Sequence, residues 1–473
     1  MKKTLTILLV LCLAVQSIAK GKSTENKMDW WQEAKFGMFV HWGPYCLYGG
    51  MYQGYKQQRG GAEWIMNRCK IPVAEYRAKS TTFNPTQFNA DDLVLMAKNA
   101  GMKYLVFTTK HHDGFAMFRS EASNYNIVDY TKFGRDILDE VVKSCRKHGL
   151  KFGFYYSHAQ DWNNGGKASR KLMKEGWQNP DSAYIDNYTK THHGFWDARQ
   201  LGVTFEDYFH KVAMPQMNEL LTRYPDVSIM WFDTPGGTTD ALAQEVTDLL
   251  KAYPHVIVND RLKRPNFPGD YKTPEGRVPK PEDVKGIYWE TCANIGSSWG
   301  YKSYDTKWKD TETVLKTLIM CAARGGNLLL NVGPDPMGIV PEQAQTSLRG
   351  VGEWIKKYGD IIYGSQRSEL YPKWGEVIRK DNKSNTSLYL CVFSWPKDGK
   401  LTLDGSFDVK GASLMSDNSR LGFSSDKAKT VINVGKRPAG EGITVIRLDL
   451  KKKLPVVKLI SNTSRYFNIV DAD

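Results

Sequence analysis

The sequence has few features that would assign it to a specialised class of protein. Its 473 residues include only seven cysteines, none in a C-x-x-C pair, so neither a zinc ribbon nor a dense disulfide framework is indicated. No helix-turn-helix, RNP or zinc-finger pattern accompanies the net charge of +14. We therefore interpret the charge as a solvated basic surface and expect no nucleic acid partner; an acidic partner molecule is the alternative. Low-complexity segments and internal repeats beyond the strand-helix alternation described below are also missing.

Long hydrophobic runs are confined to the N-terminus. Two lysines precede an apolar run from Leu5 to Val15, and a small-residue cleavage site ends at Ala19. Because this run is too short to span a bilayer, we predict that residues 1–19 are a cleaved secretory signal peptide. A lipoprotein signal at Cys12 is the alternative, but the residues before it lack the small side chains of a lipobox. We expect no membrane span and a secreted or periplasmic protein, or a lysosomal one in a eukaryote.

An alternation of strand-like and helix-like segments occupies most of the chain. Near-continuous apolar runs of strand length are separated by polar loops and amphipathic stretches, as in a parallel sheet covered by helices. About eight such units favour a (β/α)8-like TIM barrel, which we assign to residues 28–365. The strand candidates are residues 36–40, 104–108, 151–156, 228–232, 256–258, 286–289, 327–332 and, as the weakest, 361–363. The helix candidates are residues 136–148, 205–223, 241–252, 311–324 and 343–358.

The pattern changes after about Gly364, where helical periodicity ends. Short alternating runs separated by turn residues replace it, which is typical of an antiparallel β-sandwich. We assign this C-terminal domain to residues 366–473. Its strand candidates are residues 376–379, 387–393, 400–403, 413–416 and 442–450.

Polar or titratable residues follow nearly every predicted barrel strand. In a barrel of this kind the carboxyl ends of the strands face the active site, so these side chains should converge on one mouth. Each residue alone is weak evidence, because a lone aspartate at a strand end is more often a helix cap. The convergence of seven strand ends indicates a catalytic site. The residues are His41, Lys110 to Asp113, Tyr155 to His158, Asp233, Asn259 to Arg261, Glu290 and Asn331.

Three kinds of site fit these residues. The first is acetal hydrolysis by two carboxylates, with histidine, tryptophan and arginine side chains binding hydroxyl groups. The second is metal-assisted hydrolysis with His41, His111, His112 and Asp233 as ligands, but the sequence has no H-x-H on the first strand and no H-E-x-x-H. The third is a non-catalytic carbohydrate-binding barrel, which would not need two carboxylates. We favour the first and expect neither a metal nor another cofactor.

Six motifs give the chain a specific resemblance, and they occur in the family's order between residues 31 and about 364. On these motifs the chain resembles the α-L-fucosidases of glycoside hydrolase family 29. The resemblance implies a retaining exo-glycosidase that releases terminal α-L-fucose from fucosylated oligosaccharides or glycoconjugates through a covalent glycosyl-enzyme intermediate. The motifs are KFGMFVHWGP at 35–44, AEW at 62–64, TKHHDGF at 109–115, VNDR at 258–261, WET with SWGY at 289–301, and GGNLLLNVGP at 325–334.

The resemblance also implies roles for individual residues. Asp233 falls on the family's nucleophile, at the end of the fourth strand. The general acid/base falls in the loop after the Asn-Asp-Arg strand, where Glu275 is the first candidate, whereas the barrel rule favours Glu290 as the alternative. The residues that fall on sugar-pocket positions or pocket motifs are His41, Glu63, Trp64, His111, His112, Tyr155, Trp231, Arg261 and Trp299.

One departure from the family pattern lies beside the predicted nucleophile. The family commonly has glycine after this aspartate, whereas this chain has Thr234 and Pro235. These residues would reshape the wall of the pocket near the reacting carbon. Since L-fucose is 6-deoxy-L-galactose, an α-L-galactoside or a β-D-galactoside is the alternative substrate.

Overall fold

The computed structural model describes residues 26–57, 61–167, 191–192, 195–438 and 442–455. The predicted signal peptide, residues 1–19, lies outside the described residues. Within the described part of the chain, no helix combines the length and the apolar character that crossing a membrane requires.

Seven strands of the described residues form one parallel sheet, as the continuous apolar runs predict. The strands are β1 (Phe36–Val40), β4 (Tyr104–Lys110), β5 (Lys151–Tyr156), β6 (Ile229–Phe232), β7 (Ile257–Val258), β8 (Glu290–Asn294) and β9 (Asn327–Val332), with a small hairpin of β2 (Met51–Tyr52) and β3 (Tyr55–Lys56) after β1. Their order is β7-β6-β5-β4-β1-β9-β8, so β7 and β8 are the two edges.

Residues 271–275 close the ring between these edges. They bridge in parallel to the residue after β7 on one side and to β8 on the other. The Lys272 N–H donates to the Tyr288 carbonyl at 3.0 Å, and the Glu290 N–H donates to the Lys272 carbonyl at 2.8 Å. Pro274 has no N–H, so one bond of the ladder cannot form. The segment therefore acts as the eighth barrel strand.

Two predicted strands are wrong. Residues 361–363 form no strand, because Ile361 and Ile362 are the last turn of a helix and are buried on its inner face. A short apolar run does not by itself distinguish a strand from a buried helical turn. The predicted strand 286–289 is displaced, because β8 begins at Glu290 rather than ending before it. Glu290 is consequently at the amino end of its strand, the end away from the barrel mouth.

Helices cover the outside of the barrel, and all five helix candidates are confirmed to within a few residues. Helix boundaries coincide with side-chain caps, for example Asp136, Thr239 and Asp310. The helices are α1 (Asp29–Ala34), α2 (Ile65–Arg68), α3 (Val73–Ser80), α4 (Ala90–Asn99), α5 (Ile137–His148), α6 (Phe205–Tyr208), α7 (Met214–Arg223), α8 (Asp240–Leu250), α9 (Thr311–Ala323) and α10 (Glu342–Ile362). A π-helical turn, Phe209–Ala213, joins α6 to α7, and 3₁₀ helices cover Pro44–Leu47, Ala62–Trp64, Ala198–Gln200 and Pro281–Val284.

The barrel interior is a separate apolar cluster from the layer between strands and helices. Inward side chains such as Phe39, Val106 and Trp231 pack against one another inside the ring. Trp31 of α1 belongs to the same cluster, with its ring centroid 4.7 Å from that of Tyr271. The interior is thus filled by side chains, and the mouth is the accessible end.

The C-terminal strands form the predicted antiparallel sandwich. The strands are β10 (Gly375–Asp381), β11 (Thr386–Val392), β12 (Lys400–Asp404), β13 (Val409–Leu414), β14 (Gly422–Ser425), β15 (Lys429–Asn433) and β16 (Thr444–Leu450). One sheet has the order β10-β11-β16-β13 and the other β12-β15-β14, with a shared apolar core. The candidate 413–416 is wrong beyond Leu414, where the chain turns through Asn418 at φ +61°. The fold class is confirmed, and the domain limits at 365 and 366 stay predictions.

Candidate active site

Asp233 lies at the carboxyl end of β6, at the barrel mouth. Its Oδ1 accepts hydrogen bonds from Arg261 Nη1 and from the Thr234 N–H, both at 2.9 Å. Its Oδ2 accepts from the Tyr155 hydroxyl at 2.9 Å, and His112 Nε2 is 3.6 Å away. The side chain is 15% exposed, so it is held rigidly while remaining accessible from the pocket.

The charge of Asp233 is set by its neighbours. Burial alone would favour the neutral acid, but the positive charge of Arg261, with smaller contributions from His112 and Tyr155, outweighs burial and lowers the pKa of Asp233 to about 2. Asp233 is therefore a carboxylate at neutral pH. A permanently ionised carboxylate is what a nucleophile requires.

Arg261 connects the two carboxylates at the mouth. Its Nη1 donates to Asp233, and its Nη2 donates to Glu275 Oε2 at 2.8 Å. The Nε donates to Thr273 Oγ1 at 2.9 Å, and the guanidinium carbon is 4.7 Å from the centroid of the Trp231 ring. The planar fork thereby fixes both carboxylates relative to each other.

Glu275 ends the strand-like segment 271–275. Inward residues alternate along a strand, and Tyr271 in the barrel core, Thr273 on Arg261 and Glu275 on Arg261 follow that alternation. The side chain of Glu275 is 29% exposed, about twice the exposure of Asp233. Glu275 thus lies at the mouth of the barrel, where the catalytic residues of such barrels are found.

Glu290 does not share this position. It is fully buried, with Oε2 accepting from the Tyr104 hydroxyl at 2.5 Å and Oε1 from Trp231 Nε1 at 3.3 Å. Burial raises the pKa of Glu290 to about 7. Tyr104 is the first residue of β4, so Glu290 lies in the lower layer of the barrel interior, beneath the pocket.

Three histidines form one wall of the pocket. The rings of His111 and His112 are 4.1 Å apart at their centroids, and His111 stacks on Tyr155 at 5.4 Å. His41 Nδ1 is 2.7 Å from Asn331 Oδ1. Burial lowers the pKa of His41 to about 3 and of His112 to about 4, and it lowers that of His111 well below its usual value. All three imidazoles are therefore neutral at pH 7.

The hydrogen bonds of Ser157 determine the tautomer of His112. The Ser157 hydroxyl donates its single proton to the Gln160 carbonyl at 2.8 Å, so it must accept from His112 Nδ1, 2.7 Å away. Nε2 of the neutral ring then carries the lone pair. This atom faces the pocket, 3.5 Å from Thr234 Oγ1, and can accept a hydrogen bond from a hydroxyl group of a ligand.

Glu63 and two tryptophans complete the pocket. Glu63 Oε2 accepts from the Gly300 N–H at 2.8 Å, while its buried Oε1 has no partner among the described residues. Burial raises the pKa of Glu63 to about 7. The Trp64 ring lies 5.0 Å from His112 and the Trp299 ring 5.0 Å from His41. Of the residues assigned to the nucleophile, the acid/base and the sugar pocket, the structure brings all to the mouth except Glu290 and Trp231, which lie in the barrel interior beneath it.

A buried ion pair behind the histidines is not evident from the sequence. Lys110 Nζ donates to Asp161 Oδ2 at 2.9 Å and to the Tyr208 hydroxyl at 2.8 Å, and both charged side chains are fully buried. A lysine beside two pocket histidines is the only signal in the sequence, because buried lysines require a partner. Its partners come from segments about 50 and 100 residues away, which no local pattern identifies.

Metal removal is expected to leave activity unchanged. No group of three His, Cys, Asp or Glu side chains in the described ranges is arranged to hold a metal ion. Two of the imidazoles already use Nδ1, on Asn331 and Ser157. The measurement is kcat/KM before and after exhaustive dialysis against a chelator. A loss of activity that zinc or manganese restores would contradict the prediction.

Comparison with known proteins decides the family. The sequence profile of the α-L-fucosidase family matches residues 15–360, well over half of the chain. The chain belongs to the α-L-fucosidase family. This fucosidase-family chain is therefore a glycoside hydrolase. It is 28% identical to an α-L-fucosidase of Dictyostelium discoideum over 402 residues, 79% of each chain. It is 30% identical to the tissue α-L-fucosidase of Bos taurus over 400 residues, covering 79% of this chain and 76% of the relative.

Solved structures of fucosidases share the same architecture. An α-L-fucosidase from Vibrio sp. strain EJY3 superposes with a TM-score of 0.78 and 30% identity, covering 90% of this chain and 73% of the other. A family 29 enzyme from Bacteroides thetaiotaomicron superposes with a TM-score of 0.76 and 26% identity, covering 91% and 97%. That enzyme was trapped as a covalent intermediate with 2-fluoro-fucosyl fluoride, using a glutamate-to-glutamine mutant.

Proposed function

We propose that this chain is a retaining exo-glycosidase that releases terminal α-L-fucose from fucosylated oligosaccharides or glycoconjugates. The observation that carries the proposal is the pair of carboxylates, Asp233 and Glu275, on the two terminal nitrogens of Arg261. A retaining glycosidase needs two carboxyl groups roughly 5–5.5 Å apart. The covalent intermediate of the Bacteroides thetaiotaomicron enzyme supports the same mechanism here.

In the first step Asp233 attacks the anomeric carbon. The bond to the leaving group breaks, its electron pair goes to the leaving oxygen, and that oxygen takes the proton of Glu275. In the second step the Glu275 carboxylate removes a proton from water. The water oxygen attacks the anomeric carbon and releases Asp233, so the sugar keeps its configuration.

The neutral histidines are assigned to binding sugar hydroxyls. A neutral imidazole presents one donor and one acceptor. In His112 the acceptor is Nε2, because Nδ1 donates to Ser157. Glu63 contributes a buried oxygen without a partner among the described residues. The rings of Trp64 and Trp299, which are partly exposed, supply apolar faces for the sugar ring. This mixture of flat apolar surface and hydroxyl partners suits a monosaccharide better than an extended chain.

We also propose that the protein is exported. The N-terminal lysines, the short apolar run and Ala19 are the basis for a signal peptide of residues 1–19. Relatives of the chain include plasma α-L-fucosidases of Rattus norvegicus and Homo sapiens, at 28% and 27% identity. Export to the periplasm, the cell exterior or a lysosome fits a glycan substrate.

A screen of aryl glycosides tests the substrate. We expect kcat/KM for the α-L-fucoside to exceed that for the α-L-galactoside by about a hundredfold, the range in which an apolar pocket rejects an added hydroxyl. The β-D-galactoside and α-L-arabinoside should be slower still. Turnover of none of the four would favour a non-catalytic carbohydrate-binding barrel.

Thr234 is the reason to keep a galacto-configured sugar as the second candidate. Thr234 adopts φ +46°, a left-handed conformation that a β-branched residue rarely takes, and its hydroxyl lies at His112. A preference for the α-L-galactoside that Thr234→Gly reverses and Thr234→Ser preserves would establish this candidate. Equal sugar preference in all three forms would show that Thr234 does not select the sugar.

A further inference from the structure

Glu290 is a buried carboxyl group that the proposed reaction does not use. It lies beneath the pocket, where Oε2 accepts a hydrogen bond from Tyr104 and Oε1 accepts one from Trp231, and Trp31 and Tyr271 also stabilise its charged form. Burying a carboxyl group in an apolar barrel is costly unless its oxygens are hydrogen-bonded, so the groups that donate to Glu290 indicate its role. The hydrogen bond from Trp231 is informative, because the Trp231 ring packs beneath Arg261 and Tyr155 at the pocket.

Trp231 supports two of the side chains that bind Asp233. The guanidinium of Arg261 lies over the Trp231 ring at 4.7 Å, and the ring of Tyr155 stacks on it at 5.6 Å with an interplanar angle of 20°. Arg261 and Tyr155 donate to the two oxygens of Asp233. The orientation of the Trp231 ring thus sets the height and tilt of both donors.

The indole N–H is the only group of the tryptophan side chain that can donate a hydrogen bond, so a hydrogen bond can fix the orientation of the ring only through this group. It donates to Glu290 Oε1 at 3.3 Å, on the side of the ring edge that points down the barrel. The opposite end of Glu290 is tied to Tyr104 at the start of β4. Glu290 therefore lies between the base of the barrel and the Trp231 ring, and its Oε1 is the acceptor that holds the ring.

We propose that Glu290 is a positioning residue, which holds the Trp231 ring so that Arg261 and Tyr155 aim at Asp233. This inference rests on the proposed function of Asp233 and Glu275. It also gives Glu290 a role different from proton transfer. A positioning residue needs only to accept the indole N–H, whereas an acid/base needs an ionisable group.

Two substitutions of Glu290 separate these roles. In Glu290→Gln the amide oxygen can still accept from Trp231 and the amide nitrogen can donate to the Tyr104 oxygen, so we expect kcat within about threefold of wild type. In Glu290→Leu the indole N–H has no acceptor, and we expect kcat to fall by about a hundredfold, the cost of a small misplacement of reacting groups. That loss should be equal for good and poor leaving groups, and KM should change little.

Two further readouts exclude a merely structural effect. In Glu290→Leu, Arg261 would stabilise the Asp233 carboxylate less, so the acid limb of kcat/KM should move to higher pH. Trp231→Phe keeps an aromatic face but has no N–H, so Glu290→Leu added to it should lower kcat less than about threefold further. Tyr104→Phe is the matched control, since it removes a hydrogen bond to Oε2 and leaves the Trp231 N–H on Oε1. It should alter the melting temperature but not the pH profile.

The outcomes are distinct. The wild-type rate on the aryl α-L-fucoside tests the proposed function, and the ratios between folded variants test the role of Glu290. A Glu290→Gln enzyme as inactive as Glu290→Leu, with a loss that grows for poor leaving groups, would make Glu290 the acid/base. A folded Glu290→Leu enzyme with wild-type kcat and pH profile would overturn the positioning role. So would a Trp231→Phe, Glu290→Leu double variant whose loss of kcat equals the product of the two single losses, because the two residues would then act independently.

Discussion

Asp233→Asn should lower kcat by at least about 10⁴, the scale of losing a nucleophile. The amide cannot form the glycosyl-enzyme ester, and its NH₂ would face the N–H donors of Arg261 or the Tyr155 hydroxyl. The protein should still fold, because Asp233 is partly exposed and lies at the end of its strand. The measurement is kcat on an aryl α-L-fucoside together with the thermal unfolding curve.

The matched control is an aspartate at another strand end. Asp335 follows β9, and its Oδ1 accepts from the Met337 and Ile339 N–H groups at 2.8 and 2.9 Å, as a turn cap does. Asp335→Asn keeps an acceptor there and should retain wild-type kcat. Activity above a tenth of wild type in Asp233→Asn would show that Asp233 is also only a structural carboxylate.

Azide gives a sharper test with Asp233→Ala. The anion can occupy the space of the missing carboxylate and displace the leaving group directly. A single displacement inverts the anomeric centre, so the product should be the β-L-fucosyl azide. Proton NMR of the product gives the anomeric configuration. The α-azide from this variant would mean that another group had formed the covalent intermediate.

Glu275→Ala should slow hydrolysis of natural disaccharides by about 10²–10⁴-fold, because a sugar alcohol leaves poorly without a proton. An activated nitrophenyl fucoside needs no such help, so its first step should stay within about tenfold of wild type. The second step then limits turnover, because no base activates water. Added azide should speed turnover and yield the α-L-fucosyl azide, the product of two inversions.

Glu282→Ala is the control for Glu275→Ala. Glu282 lies in the same connection between β7 and β8, in the 3₁₀ helix Pro281–Val284, and is exposed. Its loss should change neither the leaving-group dependence nor the response to azide. If Glu275→Ala lowered the rate equally for both leaving groups and azide had no effect, the acid/base would have to be another residue.

Much of the barrel could be predicted because its strands are buried on both faces. β1 and β9 read as near-continuous apolar runs, and their limits at residues 36–40 and 327–332 are predicted without error. The eighth strand could not be recognised in this way. Residues 271–275 read Tyr-Lys-Thr-Pro-Glu, so polar side chains and a proline interrupt the pattern. Their pairing depends on β7 and β8, which only the folded chain brings together.

The wrong strand limit before Glu290 has the same origin. The apolar residues Ile287 and Trp289 suggested a strand that ended before Glu290, whereas they pack outside the barrel. The inward face of β8 carries Glu290 and Cys292. The pattern of large apolar side chains that is typical of a barrel strand is therefore missing from this segment. Catalytic residues of a barrel lie at the carboxyl ends of its strands. With the observed limits of β8 and of segment 271–275, the glutamate at such an end is Glu275. The residue that the family resemblance suggested and the one that the barrel rule selects are then the same.

The placement of Arg261 between two carboxylates has a consequence for how charge moves during turnover. In the proposed reaction Asp233 is negative and Glu275 neutral before attack; in the covalent intermediate Asp233 is a neutral ester and Glu275 is negative. One unit of negative charge therefore crosses from Nη1 to Nη2 of the same guanidinium, while the total charge of the three groups is constant. Because the compensating cation is already in contact with both sites, neither half of the cycle requires solvent or another side chain to reorganise around a newly created charge.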